Sequence, residues 1–204
     1  MEVFDIEKSF KKNNAVRDAF LSRLLGIFSE DIVRIWCCDL RSPYKNIGRP
    51  SFFSSDDKYL HTTLDFCLVD EDGKKYISEM KCEIQYENYK YLTLSSVKHL
   101  NHHKIKKAFN RFLEVTEDPK KSDSKYIIKI ESERKSIDGG ILVWGKVDKS
   151  KKDEIIEFYK FADILSLEDI VNDLILWENE DLKSFVIERT RWCLELFEGI
   201  RGNS

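Results

Sequence analysis

The sequence predicts an α/β or α+β fold in which helices flank a mixed β-sheet, and two kinds of periodicity support this prediction. Apolar residues recur at helical spacing over 13–28, over 91–115 and again towards the carboxyl end. Between these stretches, shorter runs alternate apolar and polar residues, as half-buried strands do. The order helix, strands, helix, strands, helices is typical of a layered α/β fold with a central mixed sheet and a C-terminal helical extension.

The first half of the chain is expected to build one helix, a short strand and a β-hairpin. After the helix over 13–28, the short strand is expected over 32–38. The segment 40–57 contains two prolines and a glycine, so it predicts a long, partly ordered loop. Two alternating runs follow over 59–69 and 75–84, and the Asp-Gly turn signal between them predicts the hairpin.

The second half is expected to contain another helix and a second pair of strands. An amphipathic helix is predicted over 91–115, and a polar linker over 116–125 follows it. Strands over 126–131 and 141–147 would then be joined across a turn that contains two glycines.

The remaining residues predict helices that close the domain. A further helix and short strand end near Leu165, and Ser166 followed by Asp169 is typical of a helix N-cap. The apolar face of the last helix, which Arg189 interrupts, consists of Leu182, Phe185, Val186, Cys193, Leu196, Phe197 and Ile200. This face is expected to pack in the protein's own core, with a dimer interface as the alternative. We therefore predict a single domain over 1–204, with its core at about 13–165 and C-terminal helices over 166–201.

The composition favours a cytoplasmic protein with one hydrophobic core. Hydrophobic residues make up 42% of the 204, which is enough for one substantial core. Five cysteines without a CxxC pair fit a reducing compartment. No signal sequence or membrane-spanning apolar run is evident. The net charge of -3 neither requires nor excludes a nucleic-acid partner, but residues 98–111 carry five Lys or Arg and no acid.

The predicted hairpin brings together side chains suited to phosphodiester hydrolysis. If Glu71 to Gly73 form a three-residue loop, Asp65 lies directly opposite Glu79, whereas a two-residue loop would pair Asp65 with Met80. Alternation places Glu79 and Lys81 on a charged face opposite an apolar one. Two neighbouring carboxylates can recruit Mg²⁺ or Mn²⁺ in either register, and a lysine can orient water or offset phosphorane charge. The alternative is an ordinary solvated strand face.

These residues resemble the pattern of the PD-(D/E)XK nuclease superfamily, an acid on one strand and Glu-x-Lys on the next. Here the pattern is Leu64-Asp65, thirteen intervening residues, then Glu79-Met80-Lys81, with Leu64 at the position of the usual proline. The resemblance spans roughly residues 13–147 as an order of elements. It implies a restriction-endonuclease-like fold and metal ligation by Asp65, Glu79 and the carbonyl of Met80. It also implies that Lys81 is the positioning base or charge stabiliser.

Accessory residues are expected around this cluster. Family members often add an acid from the first helix, which Asp18, or failing it Glu30, could supply, and Glu83 and Gln85 are the other accessory candidates. A basic helix after the hairpin would neutralise phosphates, with a solvated helix face as the alternative. Its candidate nucleic-acid contacts are Lys98, His102, Lys104, Lys107 and Arg111. In the loop over 40–57, the candidates for specificity are Arg41, Lys45 and Arg49.

The function expected from these residues and this resemblance is that of a Mg²⁺- or Mn²⁺-dependent endonuclease. It would hydrolyse DNA phosphodiester bonds, as restriction or repair enzymes do, and a homodimer would cut both strands. Two alternatives stay open. One is a structure-specific nuclease, such as a junction resolvase, or a transposase-associated nuclease; the other is a catalytically silent nucleic-acid-binding module.

Overall fold

A computed structural model of the protein describes residues 3–9, 15–54, 61–82 and 91–202. The helices are α1 (Ile6–Ser9), α2 (Ala15–Cys38), α3 (Lys107–Glu117), α4 (Pro119–Lys125), α5 (Lys152–Tyr159), α6 (Leu167–Leu176) and α7 (Glu180–Arg201), with a 3₁₀ helix at Val97–His103. The strands are β1 (Lys45–Asn46), β2 (Ser51–Ser54), β3 (His61–Thr63), β4 (Phe66–Val69), β5 (Lys75–Lys81), β6 (Thr93–Leu94), β7 (Tyr126–Ile130), β8 (Glu133–Arg134), β9 (Gly139–Trp144), β10 (Lys146–Val147) and β11 (Asp163–Ser166). Within these ranges no helix is both long enough and apolar enough to span a bilayer.

A five-stranded mixed sheet forms the centre of the molecule and confirms the predicted α/β class. Its strand order is β1-β4-β5-β9-β11, in which β5, β9 and β11 run parallel and β4 pairs antiparallel with β5. The β4–β5 hairpin has the three-residue register, because Val69 lies opposite Lys75. Gly73 closes the turn at a φ of +79°, a left-handed conformation that glycine adopts without steric cost.

Both faces of the central sheet are covered, so the alternative of an ordinary solvated strand face is wrong. On one face, Cys67 and Ile77 join a buried cluster with Phe109 and Phe112 of α3. The opposite face packs against α2 and α6. Glu79 and its neighbour Met80 lie on opposite faces of β5, and only 5% of the Glu79 surface is exposed. The Glu79 side chain therefore lies inside a packed layer, whereas Lys81 at the end of the strand is half-buried.

A second, four-stranded sheet has the order β3-β2-β7-β8, and the sequence does not predict it as a separate sheet. Most of the predicted loop over 40–57 is described, and it contains β1 and β2; residues 55–57 are outside the described part. The predicted strand over 59–69 divides at Leu64 and Asp65, so that β3 joins the four-stranded sheet and β4 the central one. Leu64 donates its backbone N–H to the carbonyl of Pro50 at 3.0 Å, which continues the β2–β3 pairing by one residue.

The strand predicted over 32–38 is wrong, because α2 continues through it to Cys38. Its buried residues are Ile32, Val33, Trp36 and Cys37, and their spacing is that of a helix stripe. This stripe packs on the central sheet, and the burial outweighs the modest strand preference of the β-branched residues.

Three expectations for the second half also need correction. The helix over 91–115 is interrupted: β6 and the 3₁₀ helix precede α3. The linker over 116–125 contains α4, whose first turn has Pro119 and whose Asp118 accepts a hydrogen bond from the Lys121 N–H at 3.0 Å. The strands β7 and β9 lie in different sheets and do not pair, since β7 turns back into β8 and β9 lies between β5 and β11.

The carboxyl-terminal part matches the predicted elements but not their burial. β11 follows α5, and the Ser166 hydroxyl caps α6 by accepting the Asp169 N–H at 3.3 Å, as predicted. In α7, Phe185 packs edge-on against Phe28 with ring centroids 5.6 Å apart. No residue of α7 is buried, and Ile200 is 70% exposed. Packing of its whole apolar face in the protein's own core is therefore wrong.

Candidate active site

Asp65 lies in the bend between β3 and β4, and its carboxylate is held at both oxygens. Oδ2 accepts a hydrogen bond from the backbone N–H of Met80 at 2.8 Å. Oδ1 lies 3.6 Å from Nη2 of Arg49, whose Nε donates to the Leu64 carbonyl at 3.4 Å. The acid is thus fixed across from the end of β5, as the hairpin register requires.

Glu79 and Lys81 lie near the carboxyl end of β5 and contact each other directly. Lys81 Nζ is 2.5 Å from Glu79 Oε1 and donates to the carbonyl of Met80 at 3.0 Å. Both side chains are largely buried, with 7% of the Glu79 side chain and 19% of the Lys81 side chain exposed. The second Glu79 oxygen, Oε2, is buried and accepts no hydrogen bond from the described residues.

The charge balance at Glu79 is unfavourable for an isolated carboxylate. Burial raises its pKa above the ordinary range, and the negative charge of Asp65 raises it further. Lys81 and Arg49 act in the opposite direction, but burial is the larger effect. A cation placed between the two acids would stabilise their ionised forms.

The cluster lies at the carboxyl ends of the parallel strands, where open α/β sheets commonly bind ligands. Glu79 is in register with Leu142 of β9, and Lys81 with Trp144. A separate cleft of about 790 Å³ opens at the other end of β9, beside Gly139 and Lys160. It contains no predicted site residue.

Three oxygen groups here could hold a metal: the carboxylates of Asp65 and Glu79 and the carbonyl of Met80. Across the described ranges, no three His, Cys, Asp or Glu side chains come together as a metal group. Asp18 lies in α2, but its side chain is not described, and Glu83 and Gln85 lie outside the described residues. Glu30 instead pairs with Arg34 on α2 at 3.0 Å.

The predicted basic track is spread over several elements and is not one helix. Lys98 and His102 are on the 3₁₀ helix, Lys104 is in the following turn, and Lys107 and Arg111 are on α3. Lys98 and Lys107 are exposed. The other three contact aromatic rings of the protein: His102 stacks on Tyr91, Lys104 lies over Tyr159 and Arg111 lies near Tyr126. Arg111 also donates to the Thr62 hydroxyl in β3, the strand that leads to Asp65.

Of the three specificity candidates, Arg49 contacts the site through Asp65. Arg41 instead pairs with Asp39 at 2.7 Å, and Lys45 Nζ donates to the Asp39 carbonyl at 2.8 Å.

The sequence analysis missed an aromatic and basic surface on the four-stranded sheet beside the site. It includes Phe53, His61 and Lys129. The adjacent aromatic residues Phe52 and Phe53 are a possible strand signal, but the nearby prolines favour a loop prediction.

Comparison with protein-family models, curated proteins and solved structures gave no match to this chain.

Proposed function

We propose that the protein is a Mg²⁺-dependent endonuclease that hydrolyses DNA phosphodiester bonds and has a restriction-endonuclease-like fold. The observation that carries this proposal is the contact of Lys81 Nζ with Glu79 Oε1 at 2.5 Å, across the hairpin from Asp65. Two acids and a lysine that meet at the end of a central strand, with the glutamate buried, are unusual unless they have a role. Mn²⁺ would serve as an alternative ion.

The donor set fits a hard divalent cation. The carboxylates of Asp65 and Glu79 and the Met80 carbonyl would supply three oxygen ligands, and Mg²⁺ usually completes its shell with water and substrate oxygens. Glu79 Oε2, which is buried and accepts no hydrogen bond from the described residues, provides a ready acceptor for such an ion. When bound, the ion would polarise the phosphoryl oxygen and lower the pKa of a coordinated water.

Lys81 would orient the attacking water and offset negative charge that develops on the phosphorus oxygens. Its ammonium group is held beside the proposed metal ligands, by Glu79 Oε1 and the Met80 carbonyl. Arg49, with half of its side chain exposed, would contact the phosphate from the open side of the site.

A second copy of the chain would supply the site for the second DNA strand, and α7 is the surface we assign to this contact. Leu182, Val186, Arg189, Cys193, Leu196 and Ile200 follow each other at spacings of four and three. This heptad spacing favours another helix as the partner of α7. The exposure of Leu196 (62%) and Ile200 (70%) leaves the distal half of the stripe available.

The test is nicking of supercoiled plasmid in Mg²⁺ by the parent protein, Glu79→Ala and Lys81→Ala. We expect each variant to be slower by about 10²-fold or more. Glu154→Ala and Lys151→Ala are the matched controls, because they break an exposed Glu–Lys pair at the start of α5 and should cut normally. The enzyme proposal would be contradicted if both site variants nick the plasmid normally, or if the parent protein does not nick it with any divalent metal. DNA binding without cleavage would favour the silent module, and a preference for branched DNA would favour the resolvase alternative.

A further inference from the structure

The four-stranded sheet has one buried face and one outer face. Phe52 and its neighbours Ile128 and Ile130 are buried on the inner face. Since side chains alternate along strands and directly paired residues share a face, the outer face follows from the register. Its residues in the described strands are Ser51, Phe53, His61, Thr63, Ile127, Lys129 and Arg134.

An aromatic pair lies on this face. Phe53 lies opposite His61, with ring centroids 6.2 Å apart and ring planes 24° from parallel. Lys129 Nζ lies 5.3 Å from the centre of the Phe53 ring. Ring planes that are half-exposed or exposed beside a cation provide a surface on which a nucleobase can stack.

The charge of the outer face favours a polyanion. Lys129 and Arg134 lie side by side on adjacent strands and are exposed. Along the described strands of this sheet no acid shares their face, because Glu133 is paired with Ile130 of the inner face. The described strands of the outer face therefore present two cations to a phosphate.

The outer face leads directly to the candidate active site. Thr63, at the end of β3, is two residues from Asp65, and Ser51, opposite it, follows Pro50 and Arg49. Three residues intervene between His61 and Asp65, so the Cα atoms of the two residues are at most about 13 Å apart. A strand of nucleic acid lying on the sheet would reach Asp65 within a few nucleotides.

We propose that this outer face binds single-stranded DNA and guides it to Asp65, Glu79 and Lys81. One base stacks on the Phe53–His61 pair, and Lys129 and Arg134 contact the flanking phosphates. Stacking on a protein ring requires an unpaired base, which is why the surface fits a single strand and not the closed duplex. The inference rests on the proposed nuclease function and specifies its substrate as DNA with a single-stranded segment.

The test is fluorescence anisotropy with a labelled twelve-nucleotide oligo(dT), in a Glu79→Gln background and without metal so that cleavage cannot occur. We expect Phe53→Ala to weaken binding by about tenfold, in the range of one lost base stack, and Lys129→Ala to weaken it and reduce its salt dependence. Phe53→Tyr, which keeps a ring, should restore binding. Phe158→Ala and Lys149→Ala change an exposed aromatic residue and an exposed lysine elsewhere and should bind like the parent.

The binding test separates this inference from the proposed function. If Phe53→Ala binds as tightly as Phe158→Ala, or a duplex of equal length binds as tightly as the single strand, the inference is overturned even where cleavage is observed. Absence of oligonucleotide binding by the Glu79→Gln background protein would overturn it as well. If Phe53→Ala alone loses binding but the parent protein does not cleave DNA, the result would support the proposed binding surface and contradict the proposed nuclease function.

Discussion

Glu79 is buried in an environment that disfavours its charge. Burial and the nearby Asp65 raise its pKa, and the 2.5 Å contact with Lys81 opposes this effect without outweighing it. Removing an ionisable group from water costs free energy that a packed apolar residue would not require. A fold that keeps such a group at the end of a central strand is consistent with a chemical role, because active sites are where perturbed carboxylates concentrate.

At this scale the sequence was informative about residue identity and register. The spacing of Asp65, Glu79 and Lys81 and the three-residue turn can be read locally, since they depend on period-2 alternation and an Asp-Gly signal. Burial of Glu79 could not be predicted, because it depends on α3, which packs against the sheet from a distant part of the chain. The contact of Arg49 with Asp65 has the same origin, since it depends on how β2 and β3 pair.

At the scale of elements, the close approach of α3 to β9 depends on Gly140. A Cβ atom there would overlap the Thr116 hydroxyl and lie 3.0 Å from Phe112 Cε2, and both of these residues are buried on α3. The Thr116 hydroxyl is itself held by the Phe112 carbonyl at 2.7 Å, so it cannot move without losing a hydrogen bond.

We therefore expect Gly140→Ala to lower the free energy of unfolding by about 1–3 kcal/mol through overpacking, measured by urea denaturation. Gly26→Ala is the matched control: it lies within α2 with no atom near the added methyl group, and should be neutral or stabilise by up to about 1 kcal/mol. Equal unfolding free energies for Gly140→Ala and the parent would refute this account of the helix–sheet contact.

Sequence patterns located most elements but not which sheet each strand joins. The β7–β8 hairpin has a two-residue turn in which Glu131 and Ser132 both have positive φ, at 50° and 73°. Turns of this kind usually contain Asn or Gly, so the sequence carries no local signal for this one, and the predicted pairing of β7 with β9 is wrong. Asp118 followed by Pro119 is a typical helix start and precedes α4. Because the residues of α4 are mostly polar, the segment resembles a linker in the sequence.

For the whole molecule, the α7 stripe predicts self-association. The helix has 22 residues and is about 33 Å long. Near its middle, Arg189 Nη2 forms an ion pair with Asp31 Oδ2 of α2 at 3.9 Å. We expect sedimentation velocity to show a concentration-dependent dimer, and Leu196→Glu combined with Ile200→Glu to raise the dimer Kd by about tenfold or more.

Leu176→Glu is the control for this experiment, because Leu176 is 74% exposed on α6 and outside the stripe. A monomeric parent protein at about 100 μM, a concentration at which even a weak dimer forms, would contradict the α7 interface. An unchanged dimer in the double variant would contradict it equally.

The most direct test of the central claim is the binding of Mn²⁺ to the protein alone, because it does not depend on the choice of nucleic-acid substrate. Isothermal titration calorimetry should give one Mn²⁺ per chain for the parent and for Glu154→Gln, an exposed control. Asp65→Asn and Glu79→Gln, checked for unchanged thermal unfolding, should each weaken binding by at least about tenfold. Equal Mn²⁺ affinity in the parent and both site variants would show that these acids hold no metal, and would contradict the account.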